Sequence, residues 1–170
     1  MTSVSICYVG LGSNLDHPQQ QINTALTELH HLPQVEYIQS SSLYLSRPMG
    51  SADQPDYVNA VARLGARCSP RELLDALLDL EVQHGRQRDP TGARNQPRTL
   101  DMDLLLFGNQ QLNQPGLVVP HPGLHQRDFV FLPLLELEPE LIVPGRGRLA
   151  DICDRQNSFG AHRLQQPNQT

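Results

Sequence analysis

Apolar and polar positions recur along the chain with two periods, one typical of β-strands and the other typical of α-helices. Residues 5–9 form a short β-prone apolar run, and the small residues at 10–14 predict a turn directly after it. Residues 19–32 place Ile, Ala and Leu at helical spacing, and Pro33 predicts the end of that helix. The chain therefore begins with a predicted strand, turn and helix.

The middle of the chain predicts two strands and a second helix. Residues 35–45 alternate as one strand and residues 57–64 as the next, with a loop of turn-forming residues between them. Ser69 has the character of a helix N-cap, and Glu72 follows it by three positions, as in a capping box. The apolar spacing then predicts a helix that ends near Gly85.

The second half predicts a loop, a strand and a helix. Residues 86–98 contain almost no apolar side chain and predict a loop, whereas residues 99–107 form a strongly apolar strand. A further helix is predicted over residues 123–137. From Arg155 on, the chain is rich in Gln and Asn, which predicts a frayed tail.

The order of these elements, β-α-β-β-α-β, predicts an α+β fold. It matches a ferredoxin-like antiparallel sheet with helices packed on one face, a single-domain α/β sandwich. We assign residues 1–160 to this domain and predict that residues 161–170 fray.

Composition narrows the class of protein. The chain has 170 residues, a net charge of −5 and three cysteines, none of them in a C-x-x-C pair. The acidic balance argues against a nucleic-acid binder, and the cysteines favour reduced thiols. We see no leader peptide and no apolar run long enough to span a membrane, so we expect a cytoplasmic monomer without a membrane partner.

Two aspartates stand at the start of the apolar strand at 99–107. Asp101 and Asp103 are two positions apart and project from the same strand face. We expect the opposite face to carry Met102, Leu104 and Leu106. Adjacent carboxylates are costly to bury, so their face either meets solvent or holds a metal. Paired carboxylates suit Mg²⁺, which retains waters and binds substrate phosphates.

The loop before these aspartates is basic although the chain as a whole is acidic. Guanidinium groups bind phosphate oxygens through a planar fork and remain charged. Alone, such a loop is typical of a solvated surface, but beside paired carboxylates it favours binding of a triphosphate. The arginines concerned are Arg86, Arg88, Arg94 and Arg98.

Two further groups have binding chemistry. Tyr57 and Asn59 share one strand face, and an aromatic ring beside an amide suits a flat heterocycle, although a packed tyrosine and a turn explain them equally well in isolation. His121, between two prolines, is a candidate hydrogen-bond donor to phosphate. His121 and His125 lack a third ligand at suitable spacing, so we reject zinc.

Two other functions are weaker interpretations. Gly10-Leu11-Gly12 follows a strand but lacks the third glycine of a dinucleotide-binding loop, because Leu15 stands at its place. A ferredoxin-like RNA-binding module is disfavoured, because the aromatic sheet-face signature and the basic excess are missing.

Together these motifs resemble the 6-hydroxymethyl-7,8-dihydropterin pyrophosphokinase family. The resemblance extends from Gly10 to about Pro144 and is carried by three segments in the right order. They are D-Q-P-D-Y-x-N at 53–59, P-R-T-L-D-x-D at 97–103, and P-H-P at 120–122, followed by Arg127 and Phe129. It implies transfer of pyrophosphate from ATP to a reduced pterin in folate biosynthesis.

The resemblance also implies roles for single residues. Asp101 and Asp103 would bind two Mg²⁺ ions. The phosphates would be contacted by Arg86, Arg88 and Arg98, and ATP would be bound by Glu81, His121 and Arg127. Arg86 and Arg98 would act in catalysis together with the two aspartates. The pterin would be held by Tyr57, Asn59 and Phe129, with main-chain groups around Ser46 and Met49.

The chain departs from the family pattern next to the aspartates. Asn95 and Gln96 replace an aromatic and a small residue, and Met102 replaces the more usual Leu or Ile. These changes concern the closed-loop contacts and suggest lowered turnover or pterin affinity. They also motivate an alternative, a non-catalytic paralogue that binds nucleotide or pterin as a regulator or partner.

Overall fold

The computed structural model describes residues 3–50, 53–85 and 99–165. The strands in these ranges are β1 Ser5–Ser13, β2 Val35–Ser40, β3 Tyr44–Ser46, β4 Tyr57–Ala66, β5 Asp101–Phe107, β6 Leu112–Gln114, β7 Leu117–Val119, β8 Ile142–Val143, β9 Gly147–Arg148 and β10 His162–Arg163. The helices are α1 Pro18–His30, α2 Pro70–Gln83, α3 Asp128–Leu137 and α4 Leu149–Ile152. Within these ranges, no helix is long and apolar enough to cross a membrane.

The main sheet is antiparallel and has β4 and β1 at its centre. Its order is β10-β3-β4-β1-β5, and β2 also pairs with β4. β4 is apolar and buried at nearly every position, so it buries side chains on both faces, as a central strand does. The predicted α+β, ferredoxin-like fold is confirmed.

Helices cover both faces of this sheet, so the prediction of helices on one face alone is wrong. One apolar cluster joins Val9 of β1 to Ile22 of α1 and Leu77 of α2. A second cluster joins Tyr8, the neighbouring residue of β1, to Phe131 of α3. Because adjacent strand residues point to opposite faces, α3 lies across the sheet from α1 and α2.

Several element boundaries differ from the sequence predictions. The segment predicted as a turn at 10–14 continues β1 to Ser13, paired with both β4 and β5. The single strand predicted over 35–45 is interrupted between β2 and β3, where Ser41 Oγ accepts a hydrogen bond from Val61 N. The helix predicted from 123 begins only at Asp128, because the residues before it form turns.

The predicted start of α2 at Ser69 is confirmed. Ser69 is the N-cap, and its Oγ accepts a hydrogen bond of 3.1 Å from Glu72 N. The helix ends at Gln83, with Gly85 at φ 87° after it, close to the predicted end. Short-range capping chemistry therefore determines both ends of this helix.

Part of the segment predicted to fray makes backbone contacts with the sheet. Residues 158–164 run along the sheet, and His162 pairs with Leu45 while Arg163 pairs with Tyr44. Leu164 N also donates to the Leu43 carbonyl over 2.9 Å. These contacts join positions far apart in the chain, so the local Gln- and Asn-rich composition did not indicate them.

Candidate active site

An open cavity of about 210 Å³ lies on the α3 side of the sheet, where β1 ends and β4 and β5 begin. The predicted site residues that line it are Ser46, Met49, Tyr57, Asn59, Asp101, Asp103, His121, Arg127 and Phe129. The strand register thus brings four separate sequence motifs to one surface.

Two glycines of β1 create space in the floor of this cavity. Gly12 is paired with Asn59 of β4 on one side and with Asp101 of β5 on the other. Gly10 is the corresponding partner of Asp103. A Cβ at Gly12 would lie 3.3 Å from Asn59 Oδ1, so even alanine would crowd this row. Strand spacing puts Asn59 and Asp101 about 10 Å apart across the glycine, room for a bound heterocycle.

A β-bulge in β5 changes which of its apolar residues share a face of the sheet. Tyr8 pairs with Leu106 and Val9 with Leu104, which leaves Leu105 as an extra residue. Leu105 and Leu106 both belong to the cluster under α3, so the prediction that Leu106 shares a face with Leu104 is wrong. Leu105 follows the alternation of the two carboxylates into the cavity wall, and the bulge turns Leu106 to that same side of the sheet.

Asp101 and Asp103 project into the cavity from one strand face, as predicted. Both are half-buried, and each stands opposite a glycine that adds no side chain. Within the described ranges, no group of three or more His, Cys, Asp or Glu side chains could enclose a metal. Two carboxylates beside open space fit Mg²⁺, which completes its coordination with water and phosphate oxygens.

Glu81 lies outside the cavity lining, although the family resemblance implies contact with ATP. Its side chain is buried, and Oε1 accepts a hydrogen bond of 2.7 Å from Met102 N. Among the described strands β5 pairs with β1 alone, so its outer main-chain groups need other partners. Glu81 thereby supports the strand between Asp101 and Asp103.

Replacing Glu81 with alanine is expected to lower the free energy of unfolding by about 2 kcal/mol, because Met102 N loses its buried acceptor. Glu81→Gln retains an oxygen at this position and should recover at least half of the loss. Urea unfolding of the three proteins would measure this. Equal losses for both variants would contradict a hydrogen-bonding role.

His121 presents a hydrogen-bond donor to the cavity. Its Nδ1 accepts a hydrogen bond of 3.0 Å from Gly123 N, so the neutral ring carries its proton on Nε2. Burial, and after it the positive charge of Arg127, lowers the pKa of His121 to about 4, while Asp101 opposes the shift. The imidazole is therefore neutral near pH 7 and is suited to donate to an anionic oxygen.

The lowered pKa of His121 predicts a loss of stability in acid. The unfolded chain binds this proton near the ordinary value of 6.5, whereas the folded protein does so near 4. Stability is therefore complete above about pH 6.5 and declines as the pH falls toward 4. Between pH 7 and pH 5, the ligand-free wild type should lose about 2 kcal/mol more than His121→Gln.

Urea unfolding at the two pH values would test this, with the exposed His30→Gln as control. Between pH 7 and pH 5, His30→Gln should lose as much stability as the wild type loses. A His121→Gln variant with the wild-type pH dependence would contradict the assigned pKa.

Arg127 supplies a positive charge beside His121. Its side chain is half-buried and lies against Gly123, where a Cβ would be 2.8 Å from Arg127 Nε. Within the part of the chain that the structure describes, no carboxylate lies within 4.0 Å of its guanidinium. Arg127 and His121 therefore form a donor pair suited to phosphate oxygens.

The opposite end of the cavity suits a flat polar heterocycle. Asn59 is buried, and its Nδ2 donates to Ser46 Oγ over 2.9 Å, which leaves Oδ1 directed toward Gly12. The half-buried rings of Tyr57 and Phe129 line the same cavity from β4 and α3. Two rings and an oriented amide provide stacking surfaces and an edge acceptor.

Sequence reasoning missed several residues of the cavity wall. Val61 and Val130 contribute apolar surface, and Arg47 borders the opening next to Ser46. Val61 is the partner of Gly10 in the register, so alternation along β4 could have identified it. The predicted phosphate ligands Arg86, Arg88, Arg94 and Arg98, and the unusual Asn95 and Gln96, lie outside the described residues.

Comparison with known proteins gives consistent matches over this cavity. A family profile described as 7,8-dihydro-6-hydroxymethylpterin-pyrophosphokinase (HPPK) matches residues 8–139, which include every residue of the cavity lining. The chain is 47% identical over 157 residues to the 2-amino-4-hydroxy-6-hydroxymethyldihydropteridine pyrophosphokinase of Pseudomonas aeruginosa, covering 92% of this chain and 95% of that protein. The protein of the same name from Haemophilus influenzae is 39% identical, with 92% and 94% covered. That from Bacillus subtilis is 35% identical, with 78% of each covered.

Proposed function

Since the chain belongs to the 7,8-dihydro-6-hydroxymethylpterin-pyrophosphokinase family, we propose that it transfers the diphosphate of ATP to 6-hydroxymethyl-7,8-dihydropterin in folate biosynthesis. The products are AMP and the pterin diphosphate. One observation carries this proposal. A single cavity holds an aromatic and amide end, formed around Asn59, and a carboxylate end at Asp101 and Asp103.

The reaction is an in-line displacement. The hydroxymethyl oxygen of the pterin attacks the β-phosphorus of ATP and forms a new P–O bond. The bond from that phosphorus to the oxygen shared with the α-phosphorus breaks, so AMP leaves with that oxygen. The hydroxyl proton is released to water, since His121 Nδ1 is already occupied by Gly123 N and its Nε2 carries a proton.

Positioning and charge provide most of the catalysis in this proposal. The rings of Tyr57 and Phe129 hold the pterin, and Asn59 Oδ1 accepts a hydrogen bond from its edge. Arg127 and the neutral His121 donate to the phosphates and stabilise the charge of the leaving group. Arg86, Arg88 and Arg98 remain predicted phosphate ligands.

We propose that Asp101 and Asp103 hold two Mg²⁺ ions. Both carboxylates face the cavity, and the glycines opposite leave space for phosphate oxygens and water. When bound, Mg²⁺ supplies positive charge to the phosphate oxygens and helps to orient them. Glu81 acts from outside the cavity by keeping the strand between the two aspartates in place.

We also propose that the enzyme works as a cytoplasmic monomer. Cys7, Cys68 and Cys153 are free thiols, as expected in a reducing compartment.

The proposed function is tested by AMP release from Mg²⁺-ATP, measured with and without 6-hydroxymethyl-7,8-dihydropterin. Pterin-dependent AMP, in a one-to-one ratio with pterin diphosphate, is the expected result. ADP as the product would contradict diphosphate transfer. Pterin binding without AMP would instead support the non-catalytic paralogue.

A further inference from the structure

Residues 158–163, here named the strap, are tied to the first residue of α3. Asp128 is buried, and its Oδ2 accepts hydrogen bonds from Ser158 Oγ at 3.0 Å, Phe159 N at 3.0 Å and Ala161 N at 3.2 Å. Its Oδ1 is also buried and lacks a hydrogen-bond partner among the described residues. A buried carboxylate is costly, and the three bonds to Oδ2 offset part of that cost.

The strap contacts two walls of the cavity at once. The ring of Phe159 packs edge-to-face on the ring of Phe129, with centroids 5.4 Å apart and planes at 79°. On the other side, the Phe159 carbonyl accepts from Arg47 N over 2.8 Å. The Ser158 carbonyl accepts from the Arg47 guanidinium over 2.7 Å. Phe129 and Arg47 both line the cavity, whereas Phe159 does not.

The far end of the strap is attached to the sheet. His162 and Arg163 form β10, which extends the edge of the sheet beside β3. Arg163 Nε donates to the Tyr44 hydroxyl over 3.2 Å. The strap therefore connects α3 to β3, the two elements that supply Phe129 and Ser46 to the pterin end of the cavity.

We propose that the strap positions the pterin-binding slot, with Phe159 and Asp128 as positioning residues for the ring of Phe129. The proposal rests on the proposed function, since it concerns the substrate end of the same site. Without Phe159 beside it, the half-buried ring of Phe129 samples other rotamers. The fraction of protein molecules ready to bind the pterin then falls. Among the described contacts, neither His121 nor Arg127 forms a hydrogen bond or a ring contact with Phe159, so phosphate binding is expected to depend little on this ring.

The decisive experiment compares Phe159→Ala with Phe159→Tyr in the full chain. Phe159→Ala should raise the KM for the pterin roughly tenfold, while the KM for ATP and kcat change by less than about twofold. Phe159→Tyr keeps the ring edge and should restore the wild-type KM. The exposed neighbour Gln156→Ala is the matched control and should change nothing.

Two results would overturn the strap proposal. One is an unchanged KM for the pterin in Phe159→Ala, and the other is an equal rise for pterin and ATP. Pterin fluorescence provides a dissociation constant for each variant without turnover. A wild type that binds pterin but releases no AMP would overturn the proposed reaction alone, and the strap is then judged from the dissociation constants. A wild type that binds no pterin would overturn both proposals.

The anchor can be tested independently at Asp128. Asp128→Asn retains an acceptor oxygen for Phe159 N and Ala161 N, whereas Asp128→Ala removes it. The alanine variant should lose protection of these two amides from hydrogen exchange and raise the pterin KM as Phe159→Ala does. Full amide protection with a normal pterin KM in Asp128→Ala would overturn the assigned role. If the alanine variant is poorly folded, the same two measurements are made on Asp128→Asn instead.

Discussion

Replacing Asp103 with alanine is expected to lower pterin-dependent AMP formation about a thousandfold, the scale expected when a catalytic metal loses a ligand. The folded structure should be retained. Asp103 is half-buried in the strand opposite Gly10, so its removal creates no buried cavity. The thermal midpoint of the ligand-free variant should therefore stay close to that of the wild type.

The control for this prediction is Asp75→Ala, which removes an exposed carboxylate from α2. It should leave turnover unchanged. Asp103→Asn separates charge from shape, because the amide keeps the volume but is a poor ligand for Mg²⁺. Near-normal turnover of Asp103→Ala at saturating Mg²⁺ would contradict the metal assignment, whatever the stability of the variant.

The parts of the fold that could be predicted are those determined by local chemistry. Ser69 and Glu72 define the start of α2, because a hydroxyl three residues before an N–H can cap it directly. The alternation of Asp101 and Asp103 on β5 could be predicted for the same reason, since the pleat alone decides which side chains share a face.

The parts that could not be predicted depend on partners distant in sequence. Gly10 and Gly12 have turn composition, but β4 and β5 pair with them on both sides and keep them extended. The bulge at Leu105 depends on the register between β1 and β5. The strap is held by Asp128, which precedes it by about thirty residues, and no local sequence pattern predicts that contact.

The residues of the candidate site could be proposed from the sequence because they are concentrated in short motifs. Asp101 and His121 stand in segments whose residue types already suggest a ligand, Phe129 is implied by the family resemblance, and all three line one cavity. Glu81 shows the limit of such reasoning. A carboxylate at a family position suggests nucleotide contact, yet its described hydrogen bond goes to Met102 N.

Replacing Phe129 with alanine is expected to raise the dissociation constant of the pterin roughly a hundredfold, about 2.7 kcal/mol. The ring of Phe129 lines the cavity on the α3 side, and its edge-to-face contact with Phe159 holds it there. Loss of the ring removes a stacking surface and exposes the bound heterocycle to water. ATP affinity should change by less than about twofold, because His121 and Arg127 lie at the other end. Quenching of pterin fluorescence would give the pterin constant, and isothermal titration calorimetry would give the ATP constant.

Tyr37→Ala is the matched control, since Tyr37 is an aromatic residue with 43% exposure that does not line the cavity. It should leave the pterin dissociation constant unchanged. The loss of pterin affinity in Phe129→Ala can be compared with the loss in Phe159→Ala. Phe129→Ala removes the stacking surface itself, whereas Phe159→Ala loosens only its placement, so the first must weaken binding more. An equal loss in both variants would mean that Phe129 contributes to pterin binding only while Phe159 holds its ring in place, and the remaining stacking surface would be Tyr57.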